Sequence, residues 1–410
     1  PRLADHLSRH VGLFDAMLAP TFFEVLAAPA ELEAEFAEAL KQADDLQDAL
    51  DAARRWTQAK EFQIGIHILL GQSDGEAASA ALTAIAEIVL RDLLPHVEAW
   101  LARQHGRIDG GSFAVLGLGK LGSKELAIGS DLDLIFVFDA PAGVRSDGPK
   151  PLTADSYYAR LGQRLVSALT AKTAEGSLYE IDTRLRPSGN LGPVACSIDS
   201  FERYQTENAQ TWEHQALTRA RSVALTGPAG DLVTRIDAAI LQALTKVRDP
   251  ETLAADVRTM RLRIFKEHGT EDPWNLKHAR GGLVEAEFLA QYLQLRHGST
   301  HPSLLSTQTS QVFERAAGLC IRSADSRILV RALHLHRRLQ SLLRLSLGET
   351  FDPKTAPKGL IEALIRTASI DPEIARPGLD IDGLSATLSD LQRNVAKLFD
   401  RHCPPTPSDT

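Results

Sequence analysis

The sequence predicts an α+β protein, predominantly helical, in which a small mixed β-sheet lies between two helical regions. Three observations carry this. Runs rich in Val, Ile, Phe and Tyr are confined to about residues 112–186, while apolar residues recur at helical spacing before about residue 105 and again after about 230. A chain of 410 residues is also too long for one hydrophobic core. The expected organisation is an N-terminal helical region (1–106), a central core (107–228), a C-terminal helical bundle (229–400) and a flexible tail (401–410).

The elements follow in order. Residues 31–50 alternate apolar and charged positions with a helical period, and Leu82, Ile85, Val89 and Leu93 keep that period up to Pro95. Strands are expected at Ser112–Leu116, Leu132–Phe138 and Leu178–Arg186. Between the last two, Tyr158, Leu161, Leu165 and Leu169 mark one buried face of a helix over Asp155–Thr170. Farther on, Leu329, Leu333, Leu339 and Leu342 form one apolar stripe, and Leu384, Leu388, Leu391, Val395 and Leu398 form another. Pro/Gly-rich connectors fall at 140–153, 348–358 and 371–383, and the terminal PPTPSDT reads as disordered.

Composition excludes several classes. A net charge of −8 opposes nonspecific nucleic-acid binding, which needs a basic surface to displace counterions. Cys196, Cys320 and Cys403 lie far apart with no C-x-x-C pair, so a reducing, cytoplasmic setting is expected. No apolar run is long enough to span a bilayer. A start at Pro1 instead of Met suggests a part of a longer polypeptide.

The chemistry centres on FAVLGLGKLGSKELAIGSDLDLIFVFDA, residues 113–140. As a string, Gly117 to Gly122 satisfies G-x-G-x-x-G, and Asp139 follows about twenty residues on, the dinucleotide-binding fingerprint. That fold needs a crossover helix between parallel strands, and Lys120–Ser130, which contains two glycines, is too short for one. A phosphate-binding P-loop is also excluded, because Leu121 follows Gly119-Lys120 where a hydroxyl belongs.

Asp131 and Asp133 stand at i and i+2, so on a strand they share a face while Leu132 and Leu134 pack on the other. Two enclosed carboxylates repel and call for a cation, and a hard divalent ion with oxygen ligands answers that need. In YEIDTRLRPSG, Asp182, Arg184 and Arg186 share a face in the same way. Placed opposite the first pair, they would make a site of three carboxylates, holding two metal ions, and two guanidiniums, gripping phosphate oxygens bidentately. A solvated edge strand and a surface salt-bridge ladder are the bland alternatives.

Taken together, GLGKLGSKEL, SDLDLIF, YEIDTRLRPSGNLGP and TWEHQALTRAR closely resemble the glutamine synthetase adenylyltransferases, of the polymerase-β-like nucleotidyltransferase superfamily. The likeness covers most of the chain, including WNLKHARGGLVEAEF, and its RPSG and WEHQAL runs look like the C-terminal, adenylylating half of a two-halved enzyme. It implies that the central region is the nucleotidyltransferase core and that Asp131, Asp133 and Asp182 hold two Mg²⁺ ions. It also implies that Gly119, Lys120, Gly122, Ser123 and Ser130 face the triphosphate of ATP, with Asp182 taking the proton of the acceptor. The acceptor would be a tyrosine of glutamine synthetase, with a PII signalling protein and glutamine as regulators. Two departures from the family pattern are Lys120, where a small residue is usual, and Glu285, where aspartate is common. Glu285 and Glu287 are expected as helix N-terminal acids, and Trp212 and His214 as packing residues. A deadenylylating half and a catalytically silent regulatory module are the rival readings.

Overall fold

Strand β1, Ser112–Gly117, is buried along its whole length and forms the middle of a five-stranded sheet. A computed structural model of the protein describes residues 20–24, 26–73, 75–228, 230–347 and 351–404. Expectations that fall on residues 1–19, 348–350 and 405–410, including most of the terminal PPTPSDT, lie outside the described residues.

The described residues divide into two compact units, one drawn from 20–63 and 79–243, the other from 64–78 and 244–404. The first holds the sheet. On one side β1 pairs antiparallel with β2, Leu132–Asp139, and on the other with β5, Arg221–Thr226. Strand β2 in turn pairs in parallel with β3, Ile181–Asp182, and with β4, Ala195–Ser197. The antiparallel β1–β2 pair rules out a dinucleotide-binding βαβ unit, and Asp139 ends β2 opposite Ser112.

The first two expected strands form nearly as read. The third does not: of Leu178–Arg186, only Ile181–Asp182 joins the ladder. Strands β4 and β5 were not expected. Strand β5 has only Ala224 buried, so its polar residues give no alternating apolar signal, and its pairing with β1 includes a register shift at Val115/Leu116.

The helix Ala154–Thr170 covers the sheet. Thr153 caps it by accepting from the Ser156 N–H, and Tyr157, Tyr158, Leu161, Leu165 and Leu169 are buried. Tyr158 stacks on Phe138 at 4.8 Å and on Phe113 at 5.7 Å, and Phe113 meets Phe136 at 5.6 Å. This aromatic cluster fixes β1 against β2, and each such ring contributes about 1.5–3 kcal/mol by burial.

The second unit is helical. Helices Ser323–Ser346 and Ile381–His402 bury the two leucine stripes named above, and Asp380 caps the second by accepting from the Gly383 N–H at 2.8 Å. Its last turn includes Arg401 and His402, which were expected in a tail. Glu285, on the first turn of Leu283–His297, is fully buried and pairs with Arg280 and, at 3.5 Å, with Arg261. It also accepts from the Gly281 N–H, so it anchors the preceding loop from inside.

Candidate active site

The glycine turn is built against the first acidic strand. Where β1 ends, the Leu118 N–H donates to the Asp133 carbonyl at 2.9 Å. Gly119 follows at φ +52°, and a Cβ there would collide with Asp133 Oδ2. Only glycine suits both the backbone angle and the close approach. Gly122 is packed on the Arg219 carbonyl, where no Cβ fits either. Ser123 is fully buried, and its hydroxyl lies 3.0 Å from the Gly119 carbonyl and 2.9 Å from Glu125. The structure thus places Gly119 at the acids, Lys120 half-buried on the turn, and Gly122 and Ser123 beneath it. Ser130 closes a turn just before Asp131: its hydroxyl accepts from the Ala127 N–H at 3.2 Å.

Asp133 and Asp182 are register partners across the parallel β2–β3 pair, and Asp131 lies one residue before β2. The three carboxylates expected together are therefore brought to one end of the sheet. Burial, followed by the charges of Asp131 and Asp182, pushes the Asp133 carboxyl up to about 6, against the pull of Arg219 and Arg184. Asp182 moves the other way: the Arg184 side-chain hydrogen bond holds it below the usual carboxylate range.

The arginines separate. Arg184 is exposed and forks Asp182, with Nη2 to Oδ2 at 2.5 Å and Nε to Oδ2 at 2.8 Å. Arg186 is buried and turned back on its own loop, donating to the Thr183 carbonyl at 2.7 Å and to the Gly192 carbonyl at 3.4 Å. The expected alternation of Asp182, Arg184 and Arg186 along one strand face fails because the ladder ends at Asp182.

Two further arginines escaped sequence reasoning. The buried Arg219 donates through Nε to the Gly119 carbonyl at 3.3 Å. Arg221 donates to the Gly122 carbonyl at 3.0 Å and the Leu121 carbonyl at 2.8 Å, and pairs with Glu87. Both come from TRAR, at the end of the WEHQAL run, so the signal was in the sequence without a partner to give it meaning. Within that run His214 is buried, with a ring nitrogen 3.1 Å from the Gln205 carbonyl, whereas Trp212 is at the surface. Beside Ser130 and Glu180 opens a cavity of about 200 Å³ with Glu61 and Tyr179 in its wall.

The donor set fits a hard divalent cation in its chemistry. It is all oxygen, burial and the neighbouring charges of Asp131 and Asp182 raise the Asp133 pKa, and Gly119 puts no side chain of its own over the Asp133 carboxylate. One rearrangement is needed, because Arg184 engages both Asp182 oxygens. Among the described residues no group of three His, Cys, Asp or Glu side chains stands ready to hold a metal ion.

Residues 1–231 match the family model described as glutamate-ammonia ligase adenylyltransferase. A protein of Xanthobacter autotrophicus is 43% identical over 404 residues, covering 98% of this chain and 40% of that protein. One from Bradyrhizobium diazoefficiens is 40% identical over 401 residues, 97% of this chain and 39% of its own. A third, from Rhodopseudomonas palustris, is 38% identical over 403 residues, 98% of this chain and 40% of its own. All three carry the name bifunctional glutamine synthetase adenylyltransferase/adenylyl-removing enzyme. The chain therefore spans about two fifths of the length of the curated relatives it matches.

Proposed function

Since the chain belongs to the glutamate-ammonia ligase adenylyltransferase family, we propose that it transfers the adenylyl group of ATP to a tyrosine hydroxyl of glutamine synthetase. The observation that supports this most is the pairing of Asp133 with Asp182 across β2–β3, with Asp131 beside them and the Gly119 turn pressed on the same carboxylate. Asp131, Asp133 and Asp182 would hold two Mg²⁺ ions, which when bound supply charge neutralisation at the phosphates and at the oxygens that attack and leave.

The protein's own residues do the rest. The Gly119 turn, with Lys120 on it, brings backbone close to the triphosphate, and Ser130 sets the approach to Asp131. Arg184 grips phosphate oxygens, while Arg186 holds the loop that carries it. Asp182 accepts the phenolic proton, which leaves only with help because the tyrosine pKa is about 10. The phenolic oxygen then bonds to the α-phosphorus, the bond to the bridging oxygen of the β-phosphate breaks, and pyrophosphate departs. Regulation by a PII signalling protein and by glutamine, and a cytoplasmic setting, are part of this proposal and rest on the family likeness.

The relatives' names also include adenylyl removal, so phosphorolytic deadenylylation is the second reading, using the same acids. The RPSG and WEHQAL runs favour the transferase direction. Incubating the chain with α-labelled ATP and unmodified glutamine synthetase should label the synthetase. If no label is transferred, and phosphate instead strips AMP from the modified synthetase, the direction is reversed.

A further inference from the structure

Asp182 is held by a residue only two positions away. The Arg184 backbone N–H donates to Oδ1 at 2.8 Å, Nε donates to Oδ1 at 3.1 Å and to Oδ2 at 2.8 Å, and Nη2 donates to Oδ2 at 2.5 Å. Both carboxylate oxygens are therefore engaged, and all three side-chain hydrogen bonds of Arg184 go to Asp182. The two partners are unlike in exposure: the Arg184 side chain is 75% exposed and that of Asp182 only 17%. An arginine held from the solvent side over a largely buried carboxylate is poorly screened from competitors and can swing away without unpacking anything.

We propose that Arg184 is an exchangeable counter-ion for Asp182, occupying the carboxylate until a nucleoside triphosphate draws the guanidinium onto its phosphates and leaves the carboxylate to a divalent cation. This rests on the metal-site reading above. A guanidinium and a divalent ion cannot both sit on these oxygens, because like charges at that range repel strongly. Phosphate offers the fork an equivalent bidentate partner. Nucleotide and metal therefore assist one another: whatever removes Arg184 from Asp182 raises metal affinity, and by reciprocity bound metal raises nucleotide affinity by the same factor. The latch also keeps Asp182 ionised and in place between turnovers, so that no metal need be resident.

The test uses Mn²⁺ alone, without nucleotide, titrated into the whole chain and followed by calorimetry or electron paramagnetic resonance. A salt concentration of about 0.5 M shortens the Debye length to a few Å, which suppresses mere long-range field effects. Arg184→Lys keeps the positive charge but loses the planar fork, and Arg184→Ala loses both. Mn²⁺ should bind about fivefold tighter to the lysine variant and about tenfold or more to the alanine variant. Affinities equal to or weaker than wild type in both variants overturn the latch. Asp133→Asn is the control for the underlying reading: it should abolish Mn²⁺ binding, and undiminished binding would overturn the metal assignment itself rather than the arginine exchange. Arg184 itself is exposed, so both variants should stay folded, with a modest drop in melting temperature from leaving Asp182 unpaired. A purely structural arginine would show that drop but would not tighten metal binding when removed.

Discussion

Gly119 lies so close to Asp133 that the hydrogen it carries in place of a side chain is what gives the carboxylate its room. The turn that follows β1 and the acid at the second position of β2 are one device. A backbone at φ +52° runs past a half-buried carboxylate whose pKa is about 6, and an arginine from beyond residue 200 ties the turn from behind.

Gly119→Ala should therefore cost more than a left-handed backbone angle alone. Alanine at a positive φ costs about 1 kcal/mol, and the collision with Asp133 adds to that. Gly129→Ala is the matched comparison, at φ +68° with open space around it. Urea denaturation should show the Gly119 variant the less stable of the two, with adenylyl transfer lost only there. Equal losses would mean that Asp133 yields freely.

Asp133→Asn should lower transfer by about 100-fold or more while leaving the fold intact. Above the Asp133 pKa of about 6 the wild-type carboxylate is ionised against its neighbours, so neutral asparagine should match or slightly exceed wild-type stability at pH 8. Thermal melts and single-turnover transfer assays read the two effects separately. Retained activity would remove Asp133 from the chemistry.

Glu61 gives a pH dependence of stability. Burial of its carboxyl raises the pKa from 4.5 to about 7. The folded state thus favours the protonated form: its contribution is complete below about 4.5 and is lost as pH rises through 7. Glu61→Gln removes that loss, so the variant should gain on the order of 3 kcal/mol over wild type between pH 4.5 and 8. Chemical denaturation at a series of pH values checks this, and a pH-independent difference would contradict it.

Glu285→Ala should be among the most damaging changes in the helical unit. It leaves Arg261, itself buried, without its acid and removes the acceptor of the Gly281 N–H. Breaking a buried pair from one side costs about 3–5 kcal/mol. Glu285→Asp, shorter by one methylene, should fall between the two. Denaturation midpoints measure both, and a loss below 1 kcal/mol would show the network to be dispensable.

Much of the site was legible because its strongest signals are local. Asp131 and Asp133 at i and i+2 among apolar residues announced a strand there, although only Asp133 lies on β2 and Asp131 stands just before it. The same rule failed for Arg184 and Arg186, since alternation holds only while a ladder lasts and β3 is two residues long. Ser123 and Gly122 read as phosphate contacts, yet close packing on Arg219 and a hydrogen bond to Gly119 place them under the turn. Arg219 and Arg221 carried no periodic or spacing signal, because their partners are backbone carbonyls about a hundred residues earlier.

By itself the sequence determined the helix–sheet–helix order, the strands around Val115 and Ile135, the leucine stripes that bury two long helices and the family to which the acids belong. Those features follow from side-chain periodicity and residue chemistry, which act over a few residues. Tertiary structure alone decided that β1 and β2 run antiparallel, that Asp182 arrives opposite Asp133, and that its first partner is an arginine. Strand direction and register depend on which distant segments exchange hydrogen bonds, and no local pattern encodes that choice.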